Sequence, residues 1–429
     1  MGESGVTPDW RGIARICLSL LAFAGIGWLV LVMLVRSATF GGPGSAAQGA
    51  GYSDFDEFHL VGRMIWQGSV AQAYVLPDML AALHADAGLP VRMPWAYPPQ
   101  FDLVVAALGL VSKGTGYLVF IGGAFIFYLW VLRRLAGPEF AISVLICLPA
   151  LNTCMTFGQN GFLTAGLAGA FALWMLRNSA LAGLPLGLMV IKPHLAIGLA
   201  AVALARRCWK VLGLAALVVL ATGVAASLAF GLPIWVGFVS AVRESSGYLR
   251  KTDGFPLYRM VSIYATARTQ GLSAETALLM QGGVGLSAIA VVVVAAFRRV
   301  PPRHLLGVAL LCTVAVSPYS YDYDLPMLGM AAGLLAADVR RAASGLEQIA
   351  IVALAWLSGG WLQVVLATKP PGRVIAEQTT TLAGAAYLVL VVLILAVLHR
   401  ARSQGAPCVS PGAPATRHAR GVALEAQTR

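Results

Sequence analysis

The residues best suited to chemistry stand in one short polar stretch, Tyr52 to His59. It holds three carboxylates, Asp54, Asp56 and Glu57, in a chain with only 18 acidic residues among 429. A carboxylate partly withdrawn from water has a raised pKa and can take a proton from an attacking hydroxyl group. We predict Asp54 as a catalytic base and Asp56 as a second catalytic group. The alternatives are a solvated acidic loop and a divalent-metal site, because Asp-x-Asp oxygens suit such ions.

Three basic residues are candidates for binding a phosphate group. Lys192 ends an apolar run, where its ammonium could pair with a phosphate as charge leaves a sugar; the alternative is an interfacial anchor. His194 follows two residues later, and its alternative is a hydrogen-bonded structural group. Arg63 follows the acidic stretch, with a surface charge as its alternative.

Further short polar segments, at 158–161 and 317–324, carry groups that suit sugar hydroxyls. Together with the acidic stretch and residues 192–194, we call them the polar islands. Amide side chains both donate and accept hydrogen bonds, and carboxylates accept them. The alternatives are a tight turn at Asn160-Gly161 and an interfacial belt for the tyrosines. We predict substrate-binding roles for Tyr97, Gln159, Asn160, Tyr319, Asp322 and Asp324.

The composition places these islands in a membrane protein. The chain is 59% hydrophobic and 11% charged, whereas soluble domains carry about 25% charged residues. The net charge of +12 is attributed to cytoplasmic arginine, so nucleic acid is not an expected partner and the lipid bilayer is. The fold class expected is an all-α polytopic membrane protein.

Arginine pairs such as Arg133-Arg134 and Arg206-Arg207 should lie on the cytoplasmic side. They predict about twelve spans with both termini inside, and all polar islands on the outer face. Residues 101–111 are apolar but too short to span, which favours a re-entrant helix; whether they cross stays open. Residues 403–429 are expected to be a disordered cytoplasmic tail. The spans are 13–35, 116–132, 138–156, 162–176, 180–192, 194–205, 210–230, 277–297, 304–317, 325–338, 346–366 and 382–398.

Two long outer loops are predicted, at about 36–98 and 231–276. In the first, Phe55 and Phe58 are expected to anchor the acidic stretch against the bilayer. Apolar residues at 76, 79, 80 and 83 share one helical face, which predicts an interfacial helix. The second loop carries basic residues, among them Arg243 and Arg259, and is predicted to bind anionic lipid headgroups or to form a simple interfacial helix.

The ordered set of islands resembles glycosyltransferase family 87, of the GT-C superfamily. The resemblance covers about residues 50 to 325. Its matching residues are Asp54, Phe55 and Phe58; Gly68, Ala73 and Tyr74; Tyr97-Pro98-Pro99; Gly158-Gln159-Asn160; Gly187 and Lys192-Pro193; and Ser317-Pro318-Tyr319.

This resemblance implies a GT-C fold over residues 1–402 and an inverting transferase of a bacterial inner membrane. The donor would be a polyprenyl-phosphate-linked sugar, mannose in characterised members, and the acceptor a hydroxyl of a glycolipid or glycan. The active site would be extracytoplasmic, with Asp54 as base and no cofactor, although a divalent metal stays open. One departure is that the family's His pair corresponds to about Tyr323 and Asp324, so a role for those histidines does not transfer.

The rival interpretation is a transporter or flippase for lipids or lipid-linked sugars. Transporter folds often contain internal repeats and place their sites near the middle of the membrane. No clear repeat is seen here, and the polar groups gather at one face. This favours the enzyme.

Overall fold

The computed structural model describes residues 10–40, 52–88, 93–251, 256–368 and 379–403. Over these ranges the chain is helical without strands, apart from one isolated antiparallel bridge between Met260 and Tyr321. The predicted disordered tail, beyond Ser403, and the Gly-rich residues 41–51 fall outside the described ranges.

The helices occur at every position where a span was predicted. In the first half they are α1 Trp10–Thr39, α2 Asp54–Trp66, α3 Val70–Ala73, α4 Leu76–Ala87, α5 Pro99–Val105, α6 Lys113–Tyr117, α7 Gly123–Ala136, α8 Phe140–Phe157, α9 Gly161–Leu176 and α10 Gly183–Leu188. In the second half they are α11 Ile197–Ala205, α12 Trp209–Phe230, α13 Pro233–Lys251, α14 Ile263–Thr269, α15 Ala274–Phe297, α16 Pro302–Val316, α17 Pro326–Ala342, α18 Gly345–Thr368 and α19 Ala383–Ser403.

Short 3-10 turns and one π-helical turn join these helices. The π turn is Leu118–Gly122, between α6 and α7. The 3-10 turns are Ala106–Leu110, Gly137–Glu139, Ala180–Ala182, Met189–Ile191, Pro193–Ala196, Leu257–Arg259 and Asp322–Asp324.

Within the described ranges, six helical stretches are long and apolar enough to cross a membrane. The others at predicted span positions have only 10–17 residues, so the predicted count of about twelve crossings stays a prediction. The six stretches are Gly12–Thr39, Lys113–Phe157, Trp209–Phe230, Ala274–Phe297, Gly345–Thr368 and Ala383–Ser403.

The acidic stretch opens α2, and this helix is buried in protein. Phe58 packs edge-to-face against Trp95, Tyr97 and Phe101, and Phe55 is likewise fully buried. The prediction that the two phenylalanines face the bilayer is therefore wrong. They face aromatic side chains that sequence alone does not place beside them.

The short apolar segment after Pro98 is helical, as predicted. It consists of α5 and the 3-10 turn Ala106–Leu110, and is too short for a span. Gly62 on α2 and Gly109 lie back to back, so any side chain at either position would collide with the other backbone. The predicted helix at 76–83 is also present as α4, with Met79 and Leu83 buried.

Four helices connect the polar islands to the opposite end of the bundle. α9 begins after Asn160, α11 follows the turn that contains His194, and α17 begins after Asp324. α16 runs in the other direction and ends at Ser317. With 15 residues, α16 is about 22 Å long. We call the two ends the island end and the distal end, the latter marked by Leu176, Ala205, Pro302 and Ala342.

Candidate active site

Asp54 lies at the island end as the first residue of α2. The Arg259 guanidinium faces it, with Nη1 at 4.0 Å from Asp54 Oδ2, and its Nη2 is 3.2 Å from Asp322 Oδ1. The Gln159 side chain lies close enough to lower the pKa of Asp54. Three of the predicted islands therefore meet around one carboxylate.

The second long loop, 231–276, places Arg259 in this position. The backbone N–H of Val261 donates to Ser320 O at 2.7 Å, which ties the end of the loop to the segment before α17. The guanidinium lies over the Phe157 ring, 3.9 Å from its centroid, and 5.3 Å from that of Tyr323. Aromatic faces suit a planar guanidinium and hold it in a fixed orientation.

Lys192 and Asp324 form a second ion pair beside the first. Lys192 Nζ lies 2.8 Å from Asp324 Oδ1, and both side chains are buried. The ammonium is also 4.7 Å from the centroid of the Tyr323 ring. Lys192 stands between two 3-10 turns, where the helical backbone is interrupted. A buried lysine needs such a partner, because an unpaired buried charge is strongly destabilising.

The polar island Gly158 to Gly161, which we call the amide island, forms a turn and is also part of the site. α8 ends at Gly158 in the left-handed conformation, with φ of 64°, which confirms the predicted turn. Gln159 Oε1 accepts hydrogen bonds from the Tyr97 hydroxyl at 3.2 Å and from the Asn160 N–H at 3.0 Å. The Asn160 side chain is fully buried, and its two polar atoms have no partner among the described residues.

Burial dominates the electrostatics of the carboxylates. It raises the pKa of Asp54, and the charges of Arg259 and Lys192 and the Gln159 side chain partly oppose this. Burial also raises the pKa of Asp322, against the lowering effect of Arg259. The pKa of Glu57 is raised well above its ordinary value by burial and by the Asp54 charge, and its Oε1 has no partner in the described part of the chain.

Among Asp54, Asp322 and Asp324, Asp54 makes the weakest ion pair with a cation. Asp322 and Asp324 are almost fully buried and paired at 3.2 and 2.8 Å, whereas Asp54 is partly exposed and 4.0 Å from its nearest paired cation. An oxygen held this loosely has room to accept a proton. Asp322 and Asp324 are better suited to positioning Arg259 and Lys192.

Two predicted site residues lie elsewhere. Asp56 accepts from the Ser53 N–H at 2.9 Å and hydroxyl at 2.6 Å, and from Lys113 at 2.9 Å. Arg63 pairs with Asp86, which also accepts from Lys113. Arg63 is nine residues beyond Asp54, or about 14 Å along the helix. The structure thus separates Arg63 from Lys192, because its partner Asp86 lies on α4. It engages Asp56 in a helix cap with the neighbouring Ser53.

Two further predicted residues lie at the edge of the group. His194 is half-buried beside the Lys192–Asp324 pair, and its Nε2 has no partner among the described residues. Tyr319 packs instead against the apolar cluster of the second long loop, around Leu257 and Tyr264. The structure therefore brings His194 to the site and turns Tyr319 away from it.

Arg259 is the main residue that sequence reasoning missed, since the second loop was predicted to bind lipid headgroups or to form a simple interfacial helix. Its neighbours Leu257, Tyr258, Met260 and Val261 are apolar. A lone cation inside an apolar run needs a partner. That local signal pointed to a buried ion pair without identifying its partner.

The described residues contain no group of three or more His, Cys, Asp or Glu side chains that could hold a metal ion. Asp54 and Asp56 bind different partners and do not converge as the Asp-x-Asp pattern suggested. Metal dependence stays open.

The fold and site define a helical membrane protein with a buried ionic cluster at one end of its bundle. The family model of Glycosyltransferase family 87 matches residues 95–318, about half of the chain. The chain belongs to this family and is a glycosyltransferase. No curated protein and no solved structure matches it. The matched range contains Tyr97, Gln159, Lys192 and Arg259; Asp54 precedes it.

Proposed function

We propose that the chain transfers a sugar from a polyprenyl-phosphate donor to a hydroxyl group of a glycolipid or glycan. The observation that carries the proposal is the loosely held Asp54 carboxylate beside two cations, Arg259 and Lys192. A base adjacent to cations is what displacement of a phosphate by a hydroxyl requires. Mannose as the sugar rests on the family resemblance.

The reaction follows as one displacement. Asp54 takes the proton of the acceptor hydroxyl as that oxygen bonds to the anomeric carbon. The bond between this carbon and the phosphate oxygen breaks on the opposite face, so the configuration inverts. The electron pair leaves with the polyprenyl phosphate. Arg259 and Lys192, which Asp322 and Asp324 hold in place, stabilise the negative charge on the departing phosphate.

Recognition of the sugar is assigned to the amide island. Asn160 is fully buried with both polar side-chain atoms unpartnered among the described residues, next to Gln159 and Tyr97. Leaving such a group unpaired is costly, and a substrate hydroxyl could satisfy it. His194 lies beside the Lys192–Asp324 pair and is a further candidate for contacting the phosphate.

We place this reaction on the extracytoplasmic side of the bacterial inner membrane. The distal end of the bundle carries Arg206-Arg207, Arg298-Arg299 and Arg340-Arg341. Arginine is enriched on the cytoplasmic side of membrane proteins. The island end, where Asp54 lies, is then the outer one.

Replacement of Asp54 by Asn tests the proposed base. Membranes containing the chain are given polyprenyl-phosphate-linked radiolabelled mannose, and label in the extracted glycolipids is measured. We expect Asp54→Asn to reduce the rate by about 100-fold or more, because the amide cannot accept the proton. The exposed Asp78, on α4, supplies the control: Asp78→Asn should leave the rate unchanged.

Full activity of Asp54→Asn would show that the base is another residue. The transporter alternative is tested with the same membranes. If the wild type moves the donor lipid between leaflets and yields no labelled product, that alternative is correct.

A further inference from the structure

A cavity lined by polar and apolar side chains lies at the distal end of the bundle. It has a volume of about 440 Å³ and is lined by the distal ends of α9, α11, α16 and α17. Its lining includes Arg206, Arg303, His304 and Asp338, together with apolar side chains such as Leu176 and Leu305. The length of α16, about 22 Å, separates it from the Asp54 site, so it belongs to neither the donor nor the acceptor contacts described above.

The polar residues of the cavity are built into the fold. Arg303 Nη2 donates to Leu135 O at 3.0 Å and to Gly333 O at 2.9 Å. Arg206 Nη2 donates to Val300 O at 3.0 Å. These contacts join the start of α16 to the end of α7, to the middle of α17 and to the segment after α11, and they hold both guanidinium groups at the cavity wall.

Two nitrogen atoms of the lining have no partner among the described residues. His304 is 4% exposed, and its Nε2 lies 2.8 Å from Asp338 Oδ2 while its Nδ1 is unpartnered. The buried Nε of Arg206 also lacks a partner. Arg206 Nε is a donor, and a buried donor left without a partner costs free energy, so it points to a ligand that supplies an acceptor. His304 Nδ1 supplies a second donor when the imidazole carries both protons, with Nε2–H donating to Asp338.

The charges identify the chemistry of that ligand. The lining contains two arginines and one carboxylate, Asp338, so its net charge is positive before any contribution from His304. A guanidinium group matches the oxygens of a phosphate in pairs, and more hydrogen-bond donors remain on Arg206 than its one carbonyl contact uses. Leu176, Leu305 and Leu306 line the same cavity and would contact an apolar substituent.

We propose that this distal cavity is a binding site for a phosphate ester, with Arg206 and His304 contacting the phosphate. The ester could come from a phospholipid headgroup or from a water-soluble phosphorylated molecule. The site is independent of the sugar transfer proposed for the island end.

The test is binding to the purified full-length chain in a detergent with an uncharged headgroup. The probes are short-chain phosphatidic acid, glycerol 3-phosphate, and a diacylglycerol of the same chain length that lacks the phosphate. We expect a phosphate probe to bind and the diacylglycerol not to. Arg206→Gln should weaken binding about tenfold or more, since it removes charged hydrogen bonds. Arg298→Gln, which removes an exposed charge from the same end, should not.

A second measurement needs no substitution near the cavity. Cys208 lines the cavity and is partly buried, so a bound phosphate ester should slow its labelling by a maleimide, as followed by peptide mass spectrometry. Protection by phosphatidic acid alone assigns the lipid source, and equal protection by glycerol 3-phosphate assigns the soluble source. The proposal is overturned if neither phosphate probe protects Cys208, if the diacylglycerol protects it equally, or if Arg298→Gln weakens binding as much as Arg206→Gln.

Discussion

Asp54, Asp322 and Asp324 are the same chemical group in three different settings. The last two are clamped by Arg259 and Lys192 at hydrogen-bonding distance, and Asp54 is not. Three carboxylates thus share two cations, and the least restrained carboxylate is the one closest to solvent. This division of roles comes from distances and burial, which residue type alone cannot indicate.

The pH dependence of sugar transfer should follow the pKa of Asp54, which its surroundings determine. A base acts when deprotonated, so the rate falls as pH decreases through its pKa, and burial places that pKa above the ordinary 3.8. Arg259 lowers the pKa of Asp54. Arg259→Gln should therefore move the acidic limb of the rate profile to higher pH, in addition to slowing the reaction.

The profile is measured between pH 4 and 8 (roughly the range in which a raised carboxyl pKa would appear). Arg243→Gln removes an exposed arginine of the same long loop and should leave the limb in place. An acidic limb that stays fixed or moves to lower pH in Arg259→Gln would contradict the assignment of Asp54 as the base.

At the scale of elements, local sequence patterns correctly predicted the helices and a turn, because short-range interactions determine these features. Apolar runs bounded by arginine pairs or prolines located the helices, and the amphipathic pattern at 76–83 located α4. The island turn at Gly158 also follows from its sequence. Arg259 could not be placed in this way, because its partner Asp322 is 63 residues away and the contact depends on how two segments pack. Arg63 was misplaced for the same reason, since its partner Asp86 lies on α4.

The N-terminus of α2 gives an element-scale prediction about Asp56. Asp56 caps the helix through Ser53 and pairs with Lys113, so it fixes the start of the element that carries Asp54. We expect Asp56→Ala to lower the free energy of unfolding by about 1–2 kcal/mol, measured by thermal or denaturant unfolding of the purified chain. Asp78→Ala, on exposed α4 surface, is the control.

A catalytic role for Asp56 predicts the opposite pattern. In that case Asp56→Ala would leave the stability unchanged and reduce the rate of sugar transfer about 100-fold. Loss of stability, with activity that recovers at lower temperature, would support the positioning role.

At the scale of the whole molecule, the chain separates two polar regions by the thickness of its helical bundle. Gly161 presses against the carbonyl of Tyr323 without room for a side chain, which joins the start of α9 to the start of α17 at the island end. Arg303, at the distal end of α16, joins this helix to the end of α7 and to the middle of α17. The same helices that position Asp324 and Lys192 therefore also form the distal cavity. Sequence patterning indicated the first region and gave no sign of the second, since its arginines were attributed to topology alone.

The two ends should be accessible from opposite sides of the membrane. α15 runs from the island end, where Gln281 contacts Tyr264 and the end of α16, to Arg298 at the distal end. Its 24 residues give a length of about 36 Å, enough to cross a bilayer. We expect Glu275→Cys, at the exposed start of α15, to react with a membrane-impermeant maleimide in intact spheroplasts. Arg298→Cys should react only after the membrane is permeabilised.

The parent chain, treated in parallel, corrects for labelling of its own cysteines. The reversed pattern would put Asp54 on the cytoplasmic side and require a donor presented to that leaflet. Equal labelling of both positions in intact spheroplasts would mean that α15 does not span the membrane, and would remove the basis for assigning either end to a side.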